Sequence, residues 1–216
     1  MSLPFSADQF MSVFAHYNNS IWPLQILLNV LGVLAVILCL RARVLSILVS
    51  TILAGLWLWM GLVYHYLFFT AINPGAYLFA GAFVLQGALF FFSGAIRRDI
   101  AFGFEPGLRG YAGAVLIAYG LLFYPVLGYY LGHQFPSSPT FGVPCPTTIF
   151  TFGLLLWTRS RFPWHLLIIP ILWSLVGFTA AIQLGILEDV GLLISGIAGT
   201  TLFMLRKPVG ATAAAA

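Results

Sequence analysis

The sequence predicts an all-α integral membrane protein, a seven-transmembrane-helix bundle with the N-terminus outside and the C-terminus cytoplasmic, preceded by a short amphipathic interfacial helix. Three observations carry that prediction. Of the 216 residues, 61% are hydrophobic and only 6% charged, with a mean hydropathy of +1.03. A water-soluble domain carries about a quarter charged residues, so this chain cannot present a wet surface. Second, seven apolar segments recur, near 22–40, 46–72, 75–96, 110–132, 146–158, 164–185 and 190–205, against the roughly 20 apolar residues that cross a bilayer. Third, all nine Lys and Arg fall at the ends of odd-numbered segments.

The elements follow in order. Residues 1–20 hold "SADQFMSVFAHYN", in which Ser6 can cap a helix and Gln9 can reach back, a capping box. Phe10, Val13, Phe14 and Tyr17 then recur at helical spacing, the pattern of a short helix lying on the outer membrane surface. No basic stretch precedes an apolar one, so no cleaved signal peptide is expected. Pro23 suits the start of the first span, where a missing N–H costs nothing, and Trp22 suits the interface. Arg41 and Arg43 close that span; Arg97, Arg98 and Arg109 lie after the third, Arg159 and Arg161 after the fifth, and Arg206 and Lys207 after the seventh. The positive-inside rule then places this end in the cytoplasm and Asp8, Glu188 and Asp189 outside. The net charge of +4 thus reflects topology, and no nucleic acid partner is expected.

The second span is long enough to tilt or protrude, and the fifth and seventh are short. Short or Pro/Gly-interrupted segments mark binding sites in transporters. Trp57, Gly61, Asn73 and Gly75 align at one offset with Trp173, Gly177, Asp189 and Gly191. Spans one to three would then repeat as five to seven, a 3+1+3 parallel arrangement; chance alignment of Gly and Trp in apolar sequence gives the same pattern. The low-complexity tail 208–216 is expected to be disordered, leaving 21–207 as the membrane domain.

Reactive side chains sort by end. His16, His133, Cys145, Glu188 and Asp189 fall outside, Cys39 and His165 inside, and His65 about two turns below the outer face. The two cysteines lie a bilayer apart, which excludes a disulfide between them. An ionisable group within a membrane helix is costly and marks a pathway or site; the alternative for His65 is a neutral ring bonded to Tyr119, Tyr124 or Gln86. Gln86 and Gln183 suit bonds between helices, and Gln183 lies at the depth of a cavity reached by His65. Residues 132–146 form the longest outer connection, stiffened by Pro136, Pro139, Pro144 and Pro146. Such a segment is expected to fold inward as a plug or lid, with the fifth helix starting below the interface, Thr147 and Thr148 among its unpaired N–H groups, and Cys145 at its mouth. A capped helix start with an inert thiol is the plainer alternative.

A retinal Schiff base is excluded because Lys207 is the sole lysine, and no nucleotide motif occurs. A metal is not specified by any ligand spacing, though His65, His133 and Cys145 are candidates. The stretches "PFSADQF", "YNNSIWPLQ", "WLWMGLVYHYLFFTAINPGAYLF", "GHQFPSSPTFGVPCPTTIFTFGLLL" and "LEDVGLLISG" resemble an uncharacterised family of bacterial multipass inner-membrane proteins, sometimes labelled transporter permeases. The resemblance covers nearly the whole chain and implies an inner-membrane location; it brings no site residues. The expected function is a transporter or channel for a small solute or ion, its cavity opening to the periplasm. His65, Gln86, His133, Cys145, Thr147, Thr148, Gln183, Glu188 and Asp189 are the candidate pathway or ligand residues. The alternatives are a membrane-embedded enzyme, using a metal in one form, and a non-catalytic accessory or sensor subunit. The lipid bilayer and a small solute or ion are the expected partners, and self-association as a homo-oligomer is compatible with the sequence.

Overall fold

The computed structural model describes residues 3–41, 45–159 and 163–205. These residues form an all-helical molecule without strands. The elements are α1 (Ala7–Ile21), α2 (Leu24–Arg41), α3 (Ser46–Ala71), α4 (Ala76–Ile96), α5 (Leu108–Tyr130), α6 (Pro144–Leu156), α7 (His165–Leu184) and α8 (Leu187–Met204). Six of them, α2 to α5 with α7 and α8, are long and apolar enough to cross a membrane.

The remaining apolar helix, α6, corresponds to the expected fifth span and has 13 residues. At about 1.5 Å per residue it reaches about 20 Å, short of a bilayer's hydrocarbon core. Its surroundings explain why it can be short. Every residue from Pro144 to Leu156 is buried except Cys145, which is half-buried. Being enclosed by neighbouring helices, α6 has no length to match to lipid.

Glycine makes that enclosure possible where α5 meets α6. A Cβ at Gly153 would lie 2.7 Å from Gly113 O, one at Gly113 would lie 2.8 Å from Gly153 O, and one at Gly120 would lie 2.5 Å from Pro146 O. Backbone meets backbone here, the close approach that small residues give membrane helices.

One end of the bundle gathers Arg41, Arg97, Arg98, Arg109 and Arg159. The 97–107 connection folds over the C-terminus of α6: Gly103 N donates to Trp157 O and Arg159 N donates to Ala101 O, each at 2.8 Å. Phe102 N donates to Ser46 Oγ at 2.9 Å, tying the start of α3 to the same end. Arg109 Nη2 donates to the carbonyls of Leu156 and Thr158, each at 3.2 Å. A cation at a helix C-terminus meets unpaired carbonyls and the negative end of the dipole, so Arg109 caps α6. Arg43, Arg161, Arg206, Lys207 and the 208–216 tail lie outside the described residues.

At the opposite end, α1 starts with the expected capping box: Ser6 Oγ accepts from Gln9 N at 3.2 Å, and Gln9 Oε1 accepts from Ser6 N at 2.8 Å. Its apolar face covers protein. Phe14 and Tyr17 pack on Tyr64 at 5.7 and 5.4 Å between ring centroids, and Trp59 Nε1 donates to Tyr17 OH at 2.7 Å. Burial raises the Tyr17 phenol well above its ordinary pKa, so it stays a neutral hydroxyl. Asp8, Ser12, His16 and Asn19 occupy the exposed face.

Candidate functional site

The 131–143 connection is pinned at three places. Asn18 Nδ2 donates to Pro136 O at 2.6 Å and to Ser138 O at 2.8 Å, and Gln25 Nε2 fixes Asn18 by donating to its Oδ1 at 2.7 Å. Phe141 inserts against Phe150 of α6, 5.1 Å between centroids. Gly32 of α2 gives it room, since a Cβ there would stand 2.9 Å from the Phe141 ring. Gly142 follows at φ +102°, a backbone that favours glycine, and a Cβ there would meet Leu28 Cδ1 at 2.4 Å. Finally, His133 Nδ1 lies 2.6 Å from Glu188 Oε1.

That last contact belongs to a buried polar cluster at the turn into α8. Glu188 is wholly buried and Asp189 nearly so. Glu188 holds the His133 contact through Oε1, while its Oε2 is buried without a hydrogen bond. Its backbone carbonyl accepts from Tyr119 OH at 2.8 Å. Gly128 makes space for the carboxylate: a Cβ there would come within 3.1 Å of Glu188 Oε1. Asp189 Oδ1 accepts a hydrogen bond from Tyr124 OH, and the Cys145 thiol lies beside the same carboxylate. Trp173 Nε1 faces the Cys145 sulfur without closing a hydrogen bond of ordinary geometry.

Asp189, Cys145 and Trp173 share the wall of a cavity of about 110 Å³. The remaining wall is apolar, aromatic on one part with Tyr64, Phe69 and Phe79 and aliphatic on the rest with residues such as Val176, Leu184 and Ile186. Phe5, Phe10 and Phe14 from α1 and the segment before it form the roof. Toward the basic end the space is filled: Trp57 packs on Phe83 at 4.6 Å and on Phe90 at 6.2 Å between centroids, and Trp57 Nε1 donates to Thr151 Oγ1 of α6 at 3.1 Å.

His65 stands one aromatic layer behind this wall. Its ring lies 4.6 Å from Phe83 and 5.1 Å from Trp173, between centroids. It is fully buried, and neither ring nitrogen has a hydrogen-bond partner among the described residues. Tyr119, Tyr124 and Gln86, its expected partners, are engaged with Glu188, Asp189 and Leu166 O respectively. The stretch carrying Tyr64 and His65, Met60–Phe68, is π-helical. The wider i→i+5 turn is a device found at functional sites, and here two consecutive residues both point inward.

The other candidates are dispersed. Thr147 Oγ1 accepts from Gly142 N at 3.0 Å, closing the turn into α6. Thr148 Oγ1 is buried without a partner among the described residues. Gln183 is exposed on α7 and does not line the cavity. Gln86 bonds across helices at 2.9 Å, as its position in an apolar helix leads one to expect. No group of three or more His, Cys, Asp or Glu that could hold a metal ion occurs among the described residues. Sequence reasoning set Tyr124 beside His65 rather than Asp189 and missed Trp173 as a wall residue and Asn18; in a chain with 20 Phe, nine Tyr and six Trp no aromatic announces itself. Asn18 was findable as a lone amide on the apolar face of α1.

A family model matches residues 7–213; the family is described as one of unknown function. No curated protein and no solved structure matches the chain.

Proposed function

The chain belongs to that family, DUF6064, and from this premise we propose that it is a multipass membrane carrier for a small solute, loaded through the end that bears Glu188 and Asp189. The observation that carries the reading is a pair of buried carboxylates, one of which, Asp189, lines a largely apolar cavity. Acids within membrane helices are costly and mark substrate or ion paths. Among the described residues Asp189 meets only neutral donors, Tyr124 and Cys145, so no fixed cation occupies its side of the cavity. A carrier fits better than a channel, because the cavity ends at the Trp57–Phe83–Phe90 packing and is roofed by Phe5, Phe10 and Phe14. Passage would require opening each end in turn.

In this reading α6 completes seven passes, the basic end faces the cytoplasm, and the chain resides in a plasma membrane, the bacterial inner membrane by the resemblance in its motifs. The positive-inside asymmetry supports the orientation. Counterflow in proteoliposomes tests the function, with panels of small ammonium, neutral and carboxylate solutes. We expect uptake of at least one class, lost in Glu188→Gln/Asp189→Asn. Absence of protein-dependent uptake in all three classes would overturn the carrier reading.

A further inference from the structure

The geometry points to a small organic ammonium ion as the solute, held with its positive group at Asp189 and its apolar body against the aromatic walls of the cavity; this inference rests on the carrier reading for its physiological meaning. Charge accounting comes first. Glu188 has His133 at 2.6 Å. Asp189 has a phenol and a thiol but no cationic side chain among the described residues, and the described arginines, Arg41, Arg97, Arg98, Arg109 and Arg159, lie toward the opposite end. A carboxylate in an apolar interior with only neutral donors is left for a proton or a ligand cation to neutralise.

The walls supply the second argument. Tyr64, Phe69, Phe79 and Trp173 line the sides and phenylalanines form the roof. Aromatic faces attract alkylammonium groups as well as alkyl chains, and the attraction grows when water is excluded. An anion would meet aromatic faces and a carboxylate, both repulsive. A neutral solute would leave the carboxylate unpaired. Size is the third argument. A dry cavity of about 150 Å³ accommodates benzene, so one of about 110 Å³ takes an ion of about five heavy atoms. Asn73, whose Oδ1 accepts from Gly75 N at 2.9 Å, and Thr179 supply further polar groups on the cavity wall.

The test is calorimetric titration of the full chain in lipid nanodiscs with n-butylammonium, n-butanol and butyrate, three probes of similar size and different charge. We expect saturable butylammonium binding at least about tenfold tighter than butanol, the scale of one desolvated charge contact, and no butyrate binding. Asp189→Asn should abolish the preference. If that variant does not fold, protection of Cys145 in the unsubstituted protein reads the same site: butylammonium should slow its modification by a thiol reagent and butanol should not. Equal binding of butylammonium and butanol, binding of butyrate, no binding of any probe, or a preference that survives Asp189→Asn would each overturn the assignment. Uptake of a neutral or anionic solute without ammonium binding would leave the carrier standing and remove this inference. Ammonium binding without flux of any solute would do the reverse.

Discussion

At His65 both ring nitrogens are buried and unbonded, an arrangement whose cost is the lost hydration of a polar group, roughly 1–3 kcal/mol. An apolar ring of similar shape avoids that cost. We therefore expect His65→Phe to raise the melting temperature of the purified protein while suppressing solute uptake. The orphaned nitrogens are then used in another state of the transport cycle. A stabilised variant with unchanged uptake would mark His65 as packing alone. Glu188 behaves in the opposite way. Removing His133 leaves a buried carboxylate oxygen without its hydrogen-bond partner, at roughly 1–3 kcal/mol. His133→Ala should accordingly destabilise the protein, and Glu188→Gln in that background should restore much of the loss. A thermal double-mutant cycle with no coupling would show the 2.6 Å contact to be energetically idle. At this scale, the charged and thiol members of the site were legible because such groups are rare in apolar sequence. Their partners were not, because Tyr124 and Trp173 look like any other membrane aromatics until folding sets them beside Asp189 and Cys145.

Among the elements, α6 departs furthest from expectation. The sequence placed a short helix near 146–158 behind a stiff, proline-rich entrance, and the entrance is folded inward with Phe141 inside the bundle. What periodicity could not convey is that α6 is covered on every side, since apolar residues read alike whether lipid or protein surrounds them. The three close glycine contacts with α5 do report it. At Gly153 a methyl group would meet backbone at 2.7 and 2.8 Å, on Gly113 O and Ile117 N, atoms that cannot rotate away. Overpacking of this kind costs about 1–3 kcal/mol, so Gly153→Ala should lower the melting temperature clearly. Gly81→Ala, where nothing lies within 4 Å, should leave it unchanged or slightly raised, as expected where Ala is the better helix former. Equal behaviour of the two variants would contradict the described contact. The π-helical turns of α3, α4 and α5 had no sequence signature, because a single extra residue per turn leaves an all-apolar pattern unchanged. For α1, the capping box and apolar face were readable, but its burial against Tyr64 was not. A stripe suited to lipid suits a protein surface equally well.

The molecule as a whole is asymmetric end to end. Arginines gather where the 97–107 connection folds over the C-terminus of α6, with Asp99 and Glu105 paired to Arg97 and Arg159, and the buried carboxylates Glu188 and Asp189 sit at the other end, under α1. The sequence exposed this polarity through its charges, and the helical class through its composition; the number of full-length spans was less legible because α6 is apolar but short. The same asymmetry offers the most direct measurement of the proposed carrier. Cys145 lines the cavity, and Cys39 is buried on α2, toward the basic end. In intact cells expressing the protein, a membrane-impermeant trimethylammonium methanethiosulfonate added outside should modify Cys145, leave Cys39 untouched, and react more slowly when butylammonium is present. Modification of Cys145 only from the cytoplasmic side, or only after denaturation, would contradict a cavity that loads through the acidic end.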